Sequence, residues 1–245
     1  TAVTKGDLTR LIQVDARGEV ADLKDNINSM IDNLRATTER NREQDWLKTN
    51  LAKFGSTMQG QRDLITLGNI LLSELAPVVN AEQGVMYVME EAEDTPRLRQ
   101  LAGYADRLPD ERPREYRLGE GLVGQCAAER KRLLIENVPD DAIQIGSGLF
   151  AARPRNVIVL PVLFEDQIKA VIELASLRDF TDSHRAFLEQ LTGSIGIVLN
   201  TIEATMRTES LLAQSQKLAS ELQTQQRELQ QTNDQLEQKA QQLAE

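Results

Sequence analysis

The chain has few of the residues that build covalent or metal-centred sites. Its 245 residues include one cysteine and one histidine. These counts exclude an intrachain disulfide framework and a cysteine-rich metal site. Aromatic residues make up only 4% and there are seven prolines, whereas Leu, Gln, Glu and Ala are plentiful. This composition favours long helices, because straight-chain residues lose little rotamer freedom in a helix.

Long apolar runs and basic blocks are also missing. No apolar run approaches eighteen residues, so the sequence predicts no membrane-spanning segment. The formal net charge is −10, and without a basic patch we expect no nucleic-acid partner. The first residues, TAVTKGDL, contain neither a methionine nor a signal peptide. We therefore interpret the chain as a piece of a longer cytoplasmic polypeptide.

The first of three zones, from about Gly18 to Met58, has apolar residues in alternating steps of three and four. This spacing is typical of a coiled-coil seam. The step from Leu34 to Leu51 is two heptads plus three residues, which predicts either a break near Thr37–Asn41 or, as we prefer, a helix whose phase changes there. The predicted seam residues are Val20, Leu23, Ile27, Met30, Leu34, Leu47, Leu51, Phe54 and Met58.

The middle zone mixes helical and strand periods. DLITLGNILLSELAPVV predicts a helix that stops at Pro77. QGVMYVMEE, RLRQLAGYA and RLLIENV predict strands, and NVIVLPVLFEDQIKAVIELAS predicts a hairpin that turns at Glu165–Gln167. A further helix is expected to start at Thr181 or Asp182. Helices at both ends of a largely antiparallel sheet predict an α+β domain.

The last forty residues predict one helix with a half-apolar seam. Leucines recur every seven residues, while Gln225, Thr232 and Lys239 occupy the companion seam position. We expect a marginal coiled coil that forms a parallel homodimer together with the first zone. The predicted seam residues here are Leu211, Leu218, Leu222, Leu229, Leu236 and Leu243.

Three glycines, Gly119, Gly121 and Gly124, have the spacing of a dinucleotide-binding turn. Such a turn needs a buried apolar strand before it. The preceding stretch LPDERPREYRL has two prolines and six charged residues, so it cannot be that strand. We favour a structural function, in which the glycines permit a tight turn into a short helix.

Several separate stretches together resemble a GAF domain, the small-molecule sensor module of many signalling proteins. They are GEGLVGQCAAERKRLLIENVPDD, GSGLFAARPRNVIVLPVLFEDQIKAVIELAS and FTDSHRAFLEQL, and their order is similar to that in bacterial hybrid sensor histidine kinases. GDLTRLIQVDARGEVADLKDNINSMIDNLRA resembles the second half of a HAMP relay domain, without its first helix. The resemblance implies a GAF-like antiparallel sheet flanked by helices, with long N- and C-terminal coiled-coil helices.

This resemblance implies four segments: a partial HAMP-like connector and helix over 1–38, a linker helix over 39–61, a GAF domain over 62–205 and a signalling helix over 206–245. The implied function is non-catalytic sensing and relay to a downstream kinase. The parent would use ATP and Mg²⁺, and its kinase and receiver domains would be the partners. The segment itself needs no cofactor or metal. The alternative is a GAF module whose main task is to bind a nucleotide or metabolite.

Three single residues, Cys126, His184 and Trp46, could each have a structural or a functional role. Some GAF domains attach a bilin to a cysteine, but Cys126 is followed by Ala127 and Ala128, so we favour a buried thiol. His184 opens the last predicted GAF helix outside any phosphoacceptor setting, so we favour a capping or surface position over phosphorylation or haem binding. We interpret Trp46 as flanking the seam of the linker helix.

The predicted ligand residues lie in a loop over the GAF pocket. Ser147, Gly148, Arg153 and Arg155 could meet an anionic ligand. They could equally solvate a loop that only covers the sheet, which we favour. The signature of cyclic-nucleotide-binding GAF domains is absent, and this disfavours cyclic GMP or AMP. Asp140 and Asp141 follow a proline and are interpreted as a turn.

Overall fold

A computed structural model of the chain describes residues 8, 10–13, 17–90, 95–106, 115–139, 144–146 and 151–242. Four helices and eight strands occur in these ranges. In chain order they are α1 (Glu19–Met58), α2 (Leu64–Val78), β1 (Gln83–Glu90), β2 (Arg97–Tyr104), β3 (Glu115–Arg117), α3 (Gly121–Glu129), β4 (Leu133–Glu136), β5 (Ile145–Gly146), β6 (Ala151–Ala152), β7 (Asn156–Phe164), β8 (Gln167–Ser176) and α4 (Asp182–Gln242). The α+β prediction is confirmed.

Six strands form one antiparallel sheet in the order β3-β2-β1-β8-β7-β4, and β5 pairs with β6 separately. The predicted hairpin is β7–β8. Its two-residue turn consists of Glu165 and Asp166, which both have positive φ angles (46° and 62°). Such a turn matches the twist of the two strands that it joins.

The sheet has a core on each face. One face packs against α1, α2 and α4 through residues such as Ile158, Leu160 and Ile172. The other face packs against α3, with Val157, Val159 and Val171 from the same two strands. Because successive side chains of a strand point to opposite faces, β7 and β8 contribute to both cores. These two strands therefore connect the two sides of the domain.

Helix α1 is continuous through the predicted phase change at 37–41. The first part exposes Val20, Leu23, Met30 and Leu34. In the second part Phe54 and Met58 are buried in the core between the sheet and α1, α2 and α4, the helix-side core, and Leu47 and Leu51 pack against it. The prediction of a partner-chain seam through Phe54 and Met58 is wrong, since their own domain already covers them.

Helix α4 begins in the core and extends far beyond it. The hydroxyl of Thr181 accepts a hydrogen bond from the His184 amide at 3.2 Å, which is an N-cap and confirms the predicted start. Phe187, Leu188, Leu191, Ile195 and Leu199 are buried, and predicted Val198 is half-buried. The helix has 61 residues, so it is about 90 Å long.

Helix α2 ends at Val78, one residue beyond the predicted stop at Pro77. Its first turn is capped by Asp63, whose carboxylate accepts a hydrogen bond from the Thr66 amide at 2.7 Å. The residues that follow Leu71 on the same face are buried against the sheet. The helix therefore covers one end of the helix-side core.

Candidate functional site

The helices that enter and leave the domain meet in an aromatic cluster of Trp46, Phe54, His184 and Phe187. The Trp46 ring lies 5.4 Å from that of Phe187 and 5.6 Å from that of His184, and the Phe54 and Phe187 rings are 5.6 Å apart. These separations are those of attractive aromatic pairs. The chain has only nine Phe, Tyr and Trp residues, and three of them lie here. The cluster attaches α1 directly to α4.

His184 has a different environment from the one that the sequence suggested. Its backbone takes part in the N-cap of α4, as expected, but its side chain packs against Trp46 instead of standing in solvent. Burial lowers the pKa of His184 below its ordinary value of 6.5. Within the described ranges, Nδ1 is buried and has no hydrogen-bond partner. At neutral pH the imidazole of His184 is therefore uncharged in the folded chain.

Of the predicted ligand residues, Arg153 and Arg155 are described, and they lie just before β7, at the other end of the sheet from the exit of α4. Arg155 forms an ion pair with Asp179, with Nε 2.8 Å from Oδ1, and both side chains are largely exposed. An anion at Arg155 would have to compete with this carboxylate. Arg153 is exposed, and Ser147 and Gly148 lie outside the described residues, as do Asp140 and Asp141. Ligand binding by these residues stays a prediction.

A groove of about 920 Å³ lies where α4 leaves the domain. Its lining includes the Arg99–Glu90 ion pair from two neighbouring strands and the Lys169–Glu203 ion pair between β8 and α4. Neither Arg153 nor Arg155 belongs to the lining residues that the structure describes. Sequence reasoning missed this region, because its charged residues are far apart in the chain.

Cys126 is buried on the α3 side of the sheet. Burial, with a smaller effect from Glu129, raises the pKa of its thiol to about 12. The reactive form of a cysteine is the thiolate, so near neutral pH this thiol is protonated and a poor nucleophile. The prediction of a buried thiol is confirmed.

The glycine turn serves packing. Gly119 and Gly121 have φ angles of 82° and 60°, which L-residues with side chains rarely adopt. A Cβ on Gly124 would overlap the carbonyl oxygen of Arg117 and lie 3.2 Å from the amide nitrogen of Gly119. Strand β3 before the turn is a three-residue edge strand, not a buried parallel strand. The structural interpretation of these glycines is confirmed.

Beyond the domain, α4 carries an unpartnered row of leucines. Leu211, Leu218, Leu222, Leu229 and Leu236 are each between 56% and 71% exposed in the single chain, and Leu243 lies outside the described residues.

Among the residues described, no helix is long and apolar enough to cross a membrane. The same part of the chain holds no group of three or more potential metal ligands.

A family model for the GAF domain matches residues 61–200, more than half of the sequence, and the chain belongs to this family. The GAF domain of a phosphoenolpyruvate-protein phosphotransferase from Acinetobacter is 18% identical, with a TM-score of 0.52 over 67% of this chain and 96% of that one. The corresponding domain from Coxiella burnetii is 11% identical, with a TM-score of 0.53 over 66% and 96%.

A free methionine-R-sulfoxide reductase from Neisseria meningitidis, solved with its substrate, is also similar in structure. It is 16% identical, with a TM-score of 0.50 over 63% of this chain and 89% of that one. At such identities these likenesses show a shared fold only. The domain is thus a GAF domain, a sensory and ligand-binding type of module.

Proposed function

We propose that this chain is the sensory and signal-relay segment of a dimeric hybrid sensor histidine kinase. The observation that carries the proposal is the continuity of α4, which runs without interruption from the buried core at Phe187 to the exposed leucines beyond Leu211. A rigid helix that is fixed in a domain at one end can pass a rotation or shift to whatever follows its other end.

The N-terminal residues support a HAMP-like input. The Ile12 amide donates to Asn28 Oδ1 at 2.8 Å, and Asn28 Nδ2 donates to the Ile12 carbonyl at 3.1 Å. Further along α1, the Arg35 guanidinium donates to the carbonyl of Leu8. From Leu8 to Ile12 the chain therefore runs antiparallel to α1, toward the first residue of that helix. A connector from a preceding helix parallel to α1 would run in the same direction. The exposed residues from Val20 to Leu34 would face that helix and a second copy.

In this proposal the aromatic cluster passes the input from α1 to α4. The two states would differ in the phase or packing of the helices, and would be close in free energy so that a modest difference in contacts shifts their populations. The GAF domain would bias the same equilibrium through its sheet. Kinase and receiver domains of the same polypeptide would be the downstream partners, and the segment would lie in the cytoplasm.

None of the chemistry is assigned to this segment. The downstream kinase domain of the parent would use ATP and Mg²⁺ to phosphorylate a histidine and would pass the phosphoryl group to an aspartate. The sequence has no P-loop and no phosphoacceptor box, and its only histidine packs against Trp46. The role of these residues is therefore to set the state of the kinase.

Disulfide mapping tests the parallel dimer. In a Cys126→Ala background, single cysteines at Leu222 and Leu229 should form self-disulfides readily, because a parallel two-fold seam places each residue beside its own copy. Cysteines at Ser220 and Arg227, two residues before each seam position, should react far more slowly. Equal yields at all four positions, or a strictly monomeric segment in light scattering, would contradict the proposal.

The alternative is a GAF module whose main task is ligand binding. A sulfoxide reductase of similar fold has been solved with a bound substrate, so the architecture can hold a small molecule. Thiol-based reduction is disfavoured, because reducing a sulfoxide with one thiol needs a second thiol to resolve the sulfenic acid, and the single cysteine is buried. Native mass spectrometry separates the two functions: a stoichiometric co-purifying ligand favours the binder.

A further inference from the structure

Two glycines one turn apart on α4 differ in the space around them. A Cβ on Gly193 would meet nothing within 4 Å, whereas a Cβ on Gly196 would overlap the carbonyl oxygen of Leu163 and lie 2.8 Å from its carbonyl carbon. Ordinary contact begins near 3.4 Å. Because Gly costs helix stability relative to Ala, its presence at position 196 is explained by this backbone-to-backbone contact between α4 and β7.

The contact occurs at an irregular point of the hairpin. The register between β7 and β8 shifts between Val162 and Leu163, which is the mark of a β-bulge. A bulge bends its strand locally. Val162 pairs with Ala170 and Leu163 with Ile168, so the extra residue is Lys169 on β8, three residues after the turn at Glu165 and Asp166. The end of the hairpin is thus shaped to meet α4.

An ion pair makes a second attachment two turns further along the same face of the helix. Lys169 Nζ on β8 lies 2.8 Å from Glu203 Oε2 on α4, and the two side chains are 16% and 32% exposed. No other ion pair within the described ranges has both of its side chains so little exposed. A partly buried pair is screened less by salt than a surface pair, so its attraction depends less on ionic strength.

We propose that these two contacts, Gly196 with Leu163 and Lys169 with Glu203, form a clamp through which the GAF sheet sets the rotational position of α4. The clamp lies on the last turns of α4 before the exposed leucine row starts at Leu211. Since β7 and β8 contribute side chains to both cores, any displacement on the α3 side reaches the clamp through two strands. This inference rests on the proposed relay function.

Two pairs of matched variants isolate the clamp. Gly196→Ala forces α4 away from Leu163, whereas Gly193→Ala adds the same methyl group in open space. Glu203→Gln removes the charge that meets Lys169, whereas Arg132→Gln breaks another ion pair of α4, that with Glu189, in which the α4 side chain is 56% exposed. Should Gly196→Ala fail to fold, Glu203→Gln and Lys169→Met still test the proposal.

The first readout is the ratio of self-disulfide yields at Leu222 and Ser220 in the Cys126→Ala background. We expect the clamp variants to change this ratio about fivefold, the lower end of typical coupling between sites, and the controls to leave it unchanged. A ratio that responds equally to clamp and control variants overturns the clamp. A wild-type segment without preference for Leu222 overturns the proposed dimer instead.

The second readout needs no dimer. Amide hydrogen exchange over residues 197–205 should accelerate about tenfold in the clamp variants relative to their controls, because exchange reports the free energy of local opening. Unchanged exchange in Gly196→Ala and Glu203→Gln overturns the clamp whatever the oligomeric state. Accelerated exchange together with a normal disulfide ratio would show an anchor that does not set helix phase, which also overturns the proposal.

Discussion

Helix α1 is expected to contribute to two different kinds of interface, and Phe54→Ala tests this division. Phe54 is 1% exposed and packs 5.6 Å from the ring of Phe187. Truncating such a residue removes its apolar burial and leaves a cavity, which costs about 3–5 kcal/mol. Met30 on the same helix is 60% exposed, so in a single chain Met30→Ala should cost less than about 0.5 kcal/mol.

Urea denaturation at two protein concentrations separates the two interfaces. The fluorescence of Trp46, the only tryptophan, reports directly on the aromatic cluster. The loss from Phe54→Ala should be the same at both concentrations, because the contact lies within one chain. Any loss from Met30→Ala should shrink on dilution, because it would arise from association, which stabilises the chain less at low protein concentration. A loss below about 1 kcal/mol for Phe54→Ala, or one that shrinks on dilution, would refute the division of α1.

Three other perturbations have defined outcomes. Because the pKa of Cys126 is raised to about 12, thiol reagents near neutral pH should modify it only after unfolding, and rapid modification of the folded chain would contradict its burial. Burial lowers the pKa of His184 in the folded chain below 6.5, so as the pH drops the unfolded chain binds this proton first and stability falls below pH 6.5. In calorimetric scans at several pH values, His184→Gln should remove this part of the pH dependence, and an unchanged dependence would contradict the prediction. Deleting the exposed residues 39–41 turns the first part of α1 by about 60° relative to the domain and should lock kinase output of the parent without lowering domain stability. Deleting 39–45, a full heptad that is also exposed, turns it by only about 20° and should preserve the signal response; identical output from both deletions would contradict a phase-based relay.

Local patterns were sufficient to predict most of the domain. Two apolar runs joined at Glu165–Gln167 predicted the β7–β8 hairpin and its turn, and the cap at Thr181 predicted the start of α4. These features depend on residues close together in sequence, where period and turn chemistry are decisive. The two adjacent glycine-containing turns of α4 also carried a signal, since a glycine inside a helix often marks close packing.

The long-range contacts could not be predicted in the same way. Lys169 and Glu203 are 34 residues apart, and neither sits in a motif. Trp46 and His184 are separated by most of the chain, and only the folded domain brings their rings to 5.6 Å. A single sequence gives the composition of such contacts but not the pairs, because pairing is decided by the packing of α1 and α4 on the sheet.

The change of register in α1 places its two apolar stripes on different sides of the helix. At 100° per residue, the stripe from Val20 to Leu34 points about 130° away from the stripe formed by Leu47, Leu51, Phe54 and Met58. In a coiled coil alone, the three-residue offset would be a local distortion. Here the second stripe is covered by the chain's own domain, so the offset directs the first stripe away from it. Apolar spacing does not distinguish a partner chain from the same chain, because both bury leucine and phenylalanine equally well. The seam prediction was therefore wrong for Phe54 and Met58, whose burial fixes the orientation in which the exposed stripe is presented.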